Sequence, residues 1–228
     1  MTFDQRPLGK LVWTHLSRRP RSESVTVSLS ILLLCFMFSW LYWSDSPLRP
    51  YLAATGHQVF SEGEYWRLLS SQLVHADMQH LLSNSFMLGI LGLFVHAYYG
   101  FKVFPWLSLL GSAVMFGVSL RTYEPQVVLV GASGWVYFLA GFWLVLFFLI
   151  ERQRTIKGRL LRVLGVGAMV LLPSTFQENV SYISHFWGAV GGVVMGLVYF
   201  QLNKFEIRRA EIWESQADGS GFEPSQFN

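Results

Sequence analysis

Long uncharged stretches alternate with short charged clusters along this chain. Most of the uncharged stretches approach the ~20 residues that an α-helix needs to cross the hydrocarbon core of a bilayer. They predict six membrane-spanning helices, over residues 25–43, 78–98, 103–120, 132–150, 163–172 and 184–202. The fifth is short and begins beside Arg159 and Arg162. It spans the bilayer only if both arginines extend to the headgroups and the helix continues past Pro173.

The positive charges indicate how these helices are oriented. If both termini lie in the cytoplasm, 14 of the 17 Lys and Arg residues face the cytoplasm and three face the other side. Cytoplasmic loops of membrane proteins carry such an excess of Lys and Arg. The predicted fold is therefore an all-α polytopic membrane protein, a six-helix bundle with both termini cytoplasmic. Because topology accounts for the basic clusters, nucleic acid is not an expected partner.

Composition excludes the main alternative classes. The chain of 228 residues is 52% apolar and only 14% charged, whereas soluble domains carry about 25% charged residues. We predict a basic cytoplasmic tail over residues 1–24, a membrane domain over 25–202, and a polar, disordered cytoplasmic tail over 203–228. The expected location is the lipid bilayer of a plasma or inner membrane. The single cysteine, Cys35, excludes a disulfide within the chain.

Acidic residues are absent from all six predicted spans. This argues against a proton or cation pathway built on intramembrane carboxylates. It also argues against an aspartyl protease, which needs two buried aspartates. The chain contains no HExxH sequence, and His75 and His80 are five residues apart without a carboxylate partner on the helix. No metal or other cofactor is therefore expected.

Four neutral polar residues lie near the outer ends of three predicted helices. His80 and Asn84 are four residues apart and share a helix face, while Ser133 begins the fourth span and His185 the sixth. Under the predicted topology these helices run in the same direction, so the four residues lie at similar depth. A serine within hydrogen-bond distance of a histidine can act as a nucleophile with its base. His80, Asn84 and the Ser133 backbone N–H are suitable donors to an oxyanion.

Glycines would let the fourth and sixth spans approach closely. Tyr137 lies one turn after Ser133 and is able to stack on an imidazole. Each feature alone also has a simpler interpretation: a packing face for the glycines, an N-cap for the serine, and interhelical hydrogen bonds for His185 or Asn84. The glycines concerned are Gly188, Gly192 and Gly196 in the sixth span, with Gly134 and Gly141 in the fourth.

Taken in order, these motifs resemble those of the rhomboid intramembrane serine proteases. The resemblance extends from Tyr65 to about Val198. Trp66-Arg67 is similar to a pair in the family's first loop. The other matching positions are His80 and Asn84 for the HxxxN motif, preceded by His75; Gly131, Ser133 and Gly134 for the GxSG nucleophile motif, followed by Tyr137; and His185 and Gly188 for the HxxG motif, followed by Gly192.

The resemblance implies a Ser–His dyad in a water-filled cavity below the outer surface, with no acid and no metal. Ser133 would attack the peptide bond, and His185 would act as base and then as acid. His80 and Asn84 would help to hold the oxyanion, beside the backbone of Gly131 and Ser133. Residues 44–74 would form a membrane-embedded loop, residues 173–183 a cap, and the fifth span a lateral gate opposite the second. The substrates would be single-pass membrane proteins cut near the outer end of the helix.

Two functions from different classes stay open at this point. One is an active serine endopeptidase. The other is a catalytically silent rhomboid-like protein that binds membrane helices for quality control or trafficking. Silent relatives usually lack the serine or the histidine, so the presence of both favours the protease.

One departure from the family's pattern is Trp135, which is bulkier than the residue common at this position and is expected to narrow the substrate cleft.

Overall fold

Helices form most of the computed structural model, which describes residues 9–171 and 181–215. Two short strands, β1 Gly9–Trp13 and β2 Ile212–Ser215, pair at one end of the molecule. One-turn 3₁₀ helices lie at His15–Ser17 and Arg49–Tyr51. The α-helices are α1 Ser24–Trp43, α2 Gly56–Phe60, α3 Arg67–Leu73, α4 Met78–Tyr99, α5 Ser108–Leu120, α6 Ser133–Ile150, α7 Ile156–Leu171 and α8 Tyr182–Arg209.

Five helical segments among the described residues are long and apolar enough to cross a membrane: α1, α4, α6, α8 and the stretch Lys102–Leu120 that ends with α5. This confirms the prediction of an all-α polytopic membrane protein. All but the last residue of the predicted fifth span lie in α7, which has 16 residues; residue 172 is outside the described region. The count of six spans and the orientation of both termini therefore stay predictions. The continuation past Pro173 and most of the expected cap lie outside the described residues.

Helix α6 is the centre of the bundle. It packs against α8 along its length and also contacts α4, α5 and α7. The aromatic side chains of Trp135, Phe138 and Phe142 are fully buried in it. Because lipid is as apolar as leucine, close packing rather than hydrophobicity holds such helices together. The parallel course of α6 and α8 brings their N-terminal ends together at one end of the bundle.

The helix that ends with α5 is interrupted near its start. Phe104 has extended backbone angles (φ −120°, ψ 125°) within the irregular turn Lys102–Leu107. The following residue is Pro105, which disfavours helical angles at the residue before it. The Phe104 ring is fully buried and occupies the space that a side chain at Gly92 of α4 would need. The interruption therefore fits an aromatic ring between α4 and α6 before α5 begins.

The connection between α1 and α4 is a folded loop pinned by one arginine. Arg67 is 3% exposed. It forms an ion pair with Glu64 and donates to the carbonyl oxygens of Pro50 at 2.8 Å and Ala53 at 2.7 Å. A buried guanidinium is tolerated only when its donors are paired. Arg67 therefore holds together both halves of the loop; the insertion of this loop into the membrane stays a prediction.

Residues 203–215 are more ordered than the composition predicted. Helix α8 continues beyond residue 202 to Arg209, and β1 pairs with β2 in antiparallel register. Arg152 in the α6–α7 connection forms an ion pair with Glu211, which also binds Arg208. The expectation of disorder thus does not hold for residues 203–215, because pairing with the N-terminal strand supplies contacts that composition does not reveal. Residues 1–8 and 216–228 lie outside the described region.

Candidate active site

Backbone contact between α6 and α8 brings the Ser133 and His185 helix ends together. Side chains at Gly188 and Gly192 would collide with the carbonyl oxygens of Gly134 and Phe138 respectively. These pairs advance in the same direction along both helices, so α6 and α8 are parallel. The glycines therefore allow an approach that no other residue would permit.

Ser133 is the first residue of α6 and follows a tight turn. Gly131 has a φ of +123°, a conformation that side-chain-bearing residues rarely adopt. Its N–H donates to the carbonyl of Ser71 at 2.9 Å. Ser133 itself is half-buried. The turn thus places the serine at the N-terminal end of the central helix. Its N–H is one of the first four of the helix, which have no carbonyl partner within the helix.

The His185 imidazole is stacked on the ring of Tyr137. Their centroids are 4.1 Å apart and the planes differ by 11°. His185 is 6% exposed, and its Nε2 atom is buried without a hydrogen-bond partner among the described residues. Ser133 and Tyr137 are four residues apart on α6 and share a face. The serine side chain therefore emerges on the face where the tyrosine holds the imidazole, although no hydrogen bond joins Ser133 Oγ to His185 Nε2 in this structure.

His80 and Asn84 lie near the N-terminal end of α4, and the His80 ring is in contact with the Ser133 turn at Gly131. A Cβ atom at Gly131 would lie 2.6 Å from His80 Cε1 and 2.8 Å from its Nε2, so only glycine leaves room for this ring. Asn84 is 8% exposed, and its Nδ2 donates to the His80 carbonyl at 3.1 Å within the same helix. Among the described residues Asn84 forms no interhelical hydrogen bond, which argues against a role in joining helices.

His75 connects the Ser133 turn to α1. Its Nδ1 lies 3.2 Å from Ser39 Oγ, and its Nε2 accepts from the Ala132 N–H at 3.3 Å. Accepting at Nε2 leaves Nδ1 as the donor of the neutral ring. Burial, with a further contribution from nearby His80, lowers the pKa of His75 from 6.5 to about 3. His75 thus supports the backbone before Ser133 and faces the His80 ring edge-on at a centroid distance of 5.1 Å.

A chain of hydroxyl groups fixes the start of α8, and no motif in the sequence points to it. Ser181 caps the helix and hydrogen-bonds to Ser184, which lies 2.7 Å from Ser119 Oγ at the end of α5. The Tyr123 hydroxyl lies 2.8 Å from Ser181 Oγ. Because Ser184 precedes His185, this network anchors the backbone that carries the imidazole.

The structure corrects the expectation for Trp135. Its side chain is fully buried, donates from Nε1 to Ser108 Oγ at 2.9 Å, and stacks on Phe104 at a centroid distance of 5.6 Å. It does not narrow a cleft beside Ser133. Residues two positions apart on a helix point in nearly opposite directions, which is the physical reason.

The metal-binding potential of the described part is limited. Within residues 9–171 and 181–215, no group of three or more His, Cys, Asp or Glu side chains lies close enough to hold a metal ion.

Comparison with known proteins agrees with the motifs. The model of the rhomboid domain matches residues 62–202, more than half of the chain. A Bacillus subtilis (strain 168) protein named "Putative rhomboid protease YdcA" is 27% identical over 186 residues, covering 78% of this chain and 88% of the relative. The mouse (Mus musculus) "Rhomboid-related protein 2" is 27% identical, covering 66% of this chain and 53% of the relative.

A plant relative extends this range. The "RHOMBOID-like protein 4" of Arabidopsis thaliana is 28% identical over 173 residues, covering 75% of this chain and 41% of the relative. The matched residues 62–202 contain every motif quoted above. The family resemblance inferred from the motifs is confirmed: the chain belongs to the rhomboid family.

Proposed function

We propose that the protein is an intramembrane serine endopeptidase that cuts single-pass transmembrane substrates near the outer end of their helix. The observation that carries the proposal is the His185 imidazole, stacked on Tyr137 with its buried Nε2 unpartnered among the described residues. Ser133 lies one turn from Tyr137 on the same face of α6. A buried polar atom normally has a partner, and a nucleophile's hydroxyl is the partner that this one would suit.

In the proposed reaction, His185 Nε2 accepts the proton of the Ser133 hydroxyl while Oγ attacks the substrate carbonyl carbon. The carbonyl oxygen becomes an oxyanion, and the C–N bond breaks as the protonated His185 gives its proton to the leaving amine. A water molecule, deprotonated by His185, then hydrolyses the acyl-enzyme and restores Ser133. Stacking on Tyr137 would orient the imidazole in place of the carboxylate of a triad.

The proposed oxyanion site is built from neutral donors. The Ser133 N–H lies at the start of α6, where helix geometry leaves it unpaired and the helix dipole favours negative charge. His80 lies beside the same turn, and Asn84 follows it by one turn on α4. Removing a single donor from such a site costs about 10²–10³ in kcat in a well-studied serine protease. The substrate is proposed to enter sideways from the bilayer, between α4 and α7. The bilayer is that of a plasma or inner membrane.

The proposal is tested by incubating the purified protein with a panel of tagged single-pass membrane proteins. Wild type should release two fragments, and Ser133→Ala and His185→Ala should release none. Ser30→Ala is the matched control, since Ser30 is an exposed α1 serine that bonds only its own helix at Thr26. Cleavage by Ser133→Ala would refute the proposal. Substrate capture by wild type without cleavage would instead support the silent binding protein.

A further inference from the structure

A cavity lies at the end of the bundle opposite Ser133. It has a volume of about 240 Å³ and lies between α4, the end of α6 and the start of α7. Its wall is aromatic: Trp143 is 5.4 Å from Phe94 and 5.7 Å from Tyr98, between ring centroids. Helix α6 has 18 residues and is therefore about 27 Å long. The cavity at its far end thus lies at the level of lipid headgroups.

Two arginines line this cavity. They differ from the other arginines of the α6–α7 region, whose side chains already have partners. Arg152 is committed to Glu211, and Arg159 donates to the Phe148 carbonyl at 2.6 Å. Arg154 and Arg162 both line the cavity. Arg154 has only a loose ion pair with Glu151, at 3.9 Å. Arg162 has no ion pair or hydrogen bond to any residue that the structure describes.

The two donors of the aromatic wall are also uncommitted. Neither the Tyr98 hydroxyl nor the Trp143 indole N–H is hydrogen-bonded to a residue in the described ranges. Tyr and Trp are typical of the membrane interface, where the ring lies among acyl chains and the polar atom reaches the headgroups. The cavity therefore combines an apolar wall with N–H and O–H donors and two cations around its mouth.

From this combination we infer that the cavity binds the headgroup of an anionic phospholipid. Arg154 and Arg162 contact the phosphodiester, for which the guanidinium fork provides paired donors. The aromatic wall contacts the glycerol and the first carbons of the acyl chains. Basic pockets between membrane helices bind anionic headgroups in this way. A site smaller than the roughly 300–1,000 Å³ of typical small-molecule pockets suits a headgroup better than a peptide segment.

The carboxylate of Glu151 affects which anions this site favours. It lines the cavity, is 12% exposed and belongs to the loose pair with Arg154. Its negative charge opposes a doubly charged anion more than a singly charged one. The geometry therefore favours a diester such as phosphatidylglycerol over a phosphate monoester.

The inference is tested by native mass spectrometry of the full-length protein, released from detergent with equal amounts of phosphatidylglycerol and phosphatidylcholine of identical chains. Two arginines near an anionic surface contribute about 1 kcal/mol each, so wild type should prefer phosphatidylglycerol by about thirtyfold. The variant Arg154→Gln/Arg162→Gln should lose this preference. Arg154→Lys/Arg162→Lys should keep most of it, because charge is retained and only the paired donors are lost.

Lys157→Gln/Arg209→Gln is the matched control. It removes two positive charges from exposed positions near the same end of the bundle that do not line the cavity. Equal loss in this control, or unchanged preference in Arg154→Gln/Arg162→Gln, would overturn the lipid site. So would displacement of phosphatidylglycerol by inorganic phosphate in modest excess, since that would identify a small-anion site. Lipid retention is measured without substrate, so the result is independent of whether the protein cleaves anything.

Discussion

The side chains at the candidate site are neutral, and burial and stacking keep them in their orientation. Tyr137 holds one face of His185, and the glycine at position 131 leaves room for His80. His75 accepts a hydrogen bond from the backbone just before Ser133. A carboxylate beside the imidazole would favour its protonated form, so an acid-free site favours an imidazole ready to act as a base.

Protonation of His75 should destabilise the folded protein. Its pKa is about 3 in the fold and about 6.5 in an unfolded chain, so the unfolded state binds the proton first as pH falls. The stability associated with neutral His75 is complete above pH 6.5 and is lost progressively down to about pH 3. His75→Gln should melt below wild type at neutral pH, and the difference in Tm should shrink through this window. A difference that stays constant with pH would contradict the prediction.

Asn84→Ala should lower turnover while leaving the fold intact. Among the described residues the Asn84 amide bonds to the His80 carbonyl of its own helix, so its loss removes no interhelical hydrogen bond there. If it donates to charge that develops in the transition state, kcat falls more than KM rises. We expect a loss of about tenfold to a hundredfold in kcat, below the single-donor precedent because the Ser133 N–H compensates in part. Melting and single-turnover cleavage are measured on one preparation. Early melting with wild-type turnover would identify a purely structural residue.

At the scale of helices, the contact between α6 and α8 determines the geometry of the site. Gly188 and Gly192 are in contact with the α6 backbone, and Ser119, Ser181 and Ser184 fix the start of α8. Displacement of α8 by even a fraction of an ångström would move His185 relative to Ser133. Packing and chemistry are therefore coupled through one helix pair.

Gly192→Ala should therefore destabilise the bundle and abolish cleavage together. The added methyl group would meet the backbone of Phe138 and Phe142, neither of which is a flexible side chain. Overpacking of this kind costs about 1–3 kcal/mol. Gly165→Ala is the matched control, because nothing lies within 4 Å of its added Cβ. Its Tm should equal or exceed that of wild type. Equal effects of both substitutions on Tm would contradict the close helix contact.

The sequence predicted most helices because hydropathy and length are local properties. It did not predict the hydroxyl network, since Ser119 and Ser184 are 65 residues apart and meet only when α5 and α8 cross. Ser39 could have been found: it continues a buried stripe of α1 formed with Ser24, Ser28, Ile31 and Cys35 at helical spacing. Helical geometry also places Trp135 on the side of α6 opposite Ser133. The expectation of a narrowed cleft considered the size of this residue but not its direction.

At the scale of the whole molecule, residues 9–13 and 212–215 meet at the end of the bundle away from Ser133. The strands β1 and β2 pair there, and Glu211 binds Arg152 and Arg208. Arg152 and Arg154 of the α6–α7 connection lie at the same end. Charged chain ends on one side and a neutral polar site on the other fit a fixed orientation in the bilayer.

Cysteine labelling in intact cells should determine this orientation. In a Cys35→Ala background, Gln126→Cys in the α5–α6 connection should react with an impermeant maleimide from outside. Thr155→Cys in the α6–α7 connection should react only after permeabilisation. Both positions are exposed, so accessibility within the fold is matched. Labelling of Thr155→Cys in intact cells would reverse the topology and with it the outer location of the site.

The central claim is that Ser133 is a nucleophile activated by His185. A fluorophosphonate probe tests it directly, because an activated serine oxygen displaces fluoride and keeps the phosphonyl group. Peptide mass spectrometry of the labelled wild-type protein should locate the added mass on Ser133 alone. His185→Ala should reduce the labelling rate by at least about a hundredfold in protein that is still folded at the temperature of the assay. Labelling of Ser133 at the same rate in His185→Ala, or no labelling in folded wild type, would contradict the account.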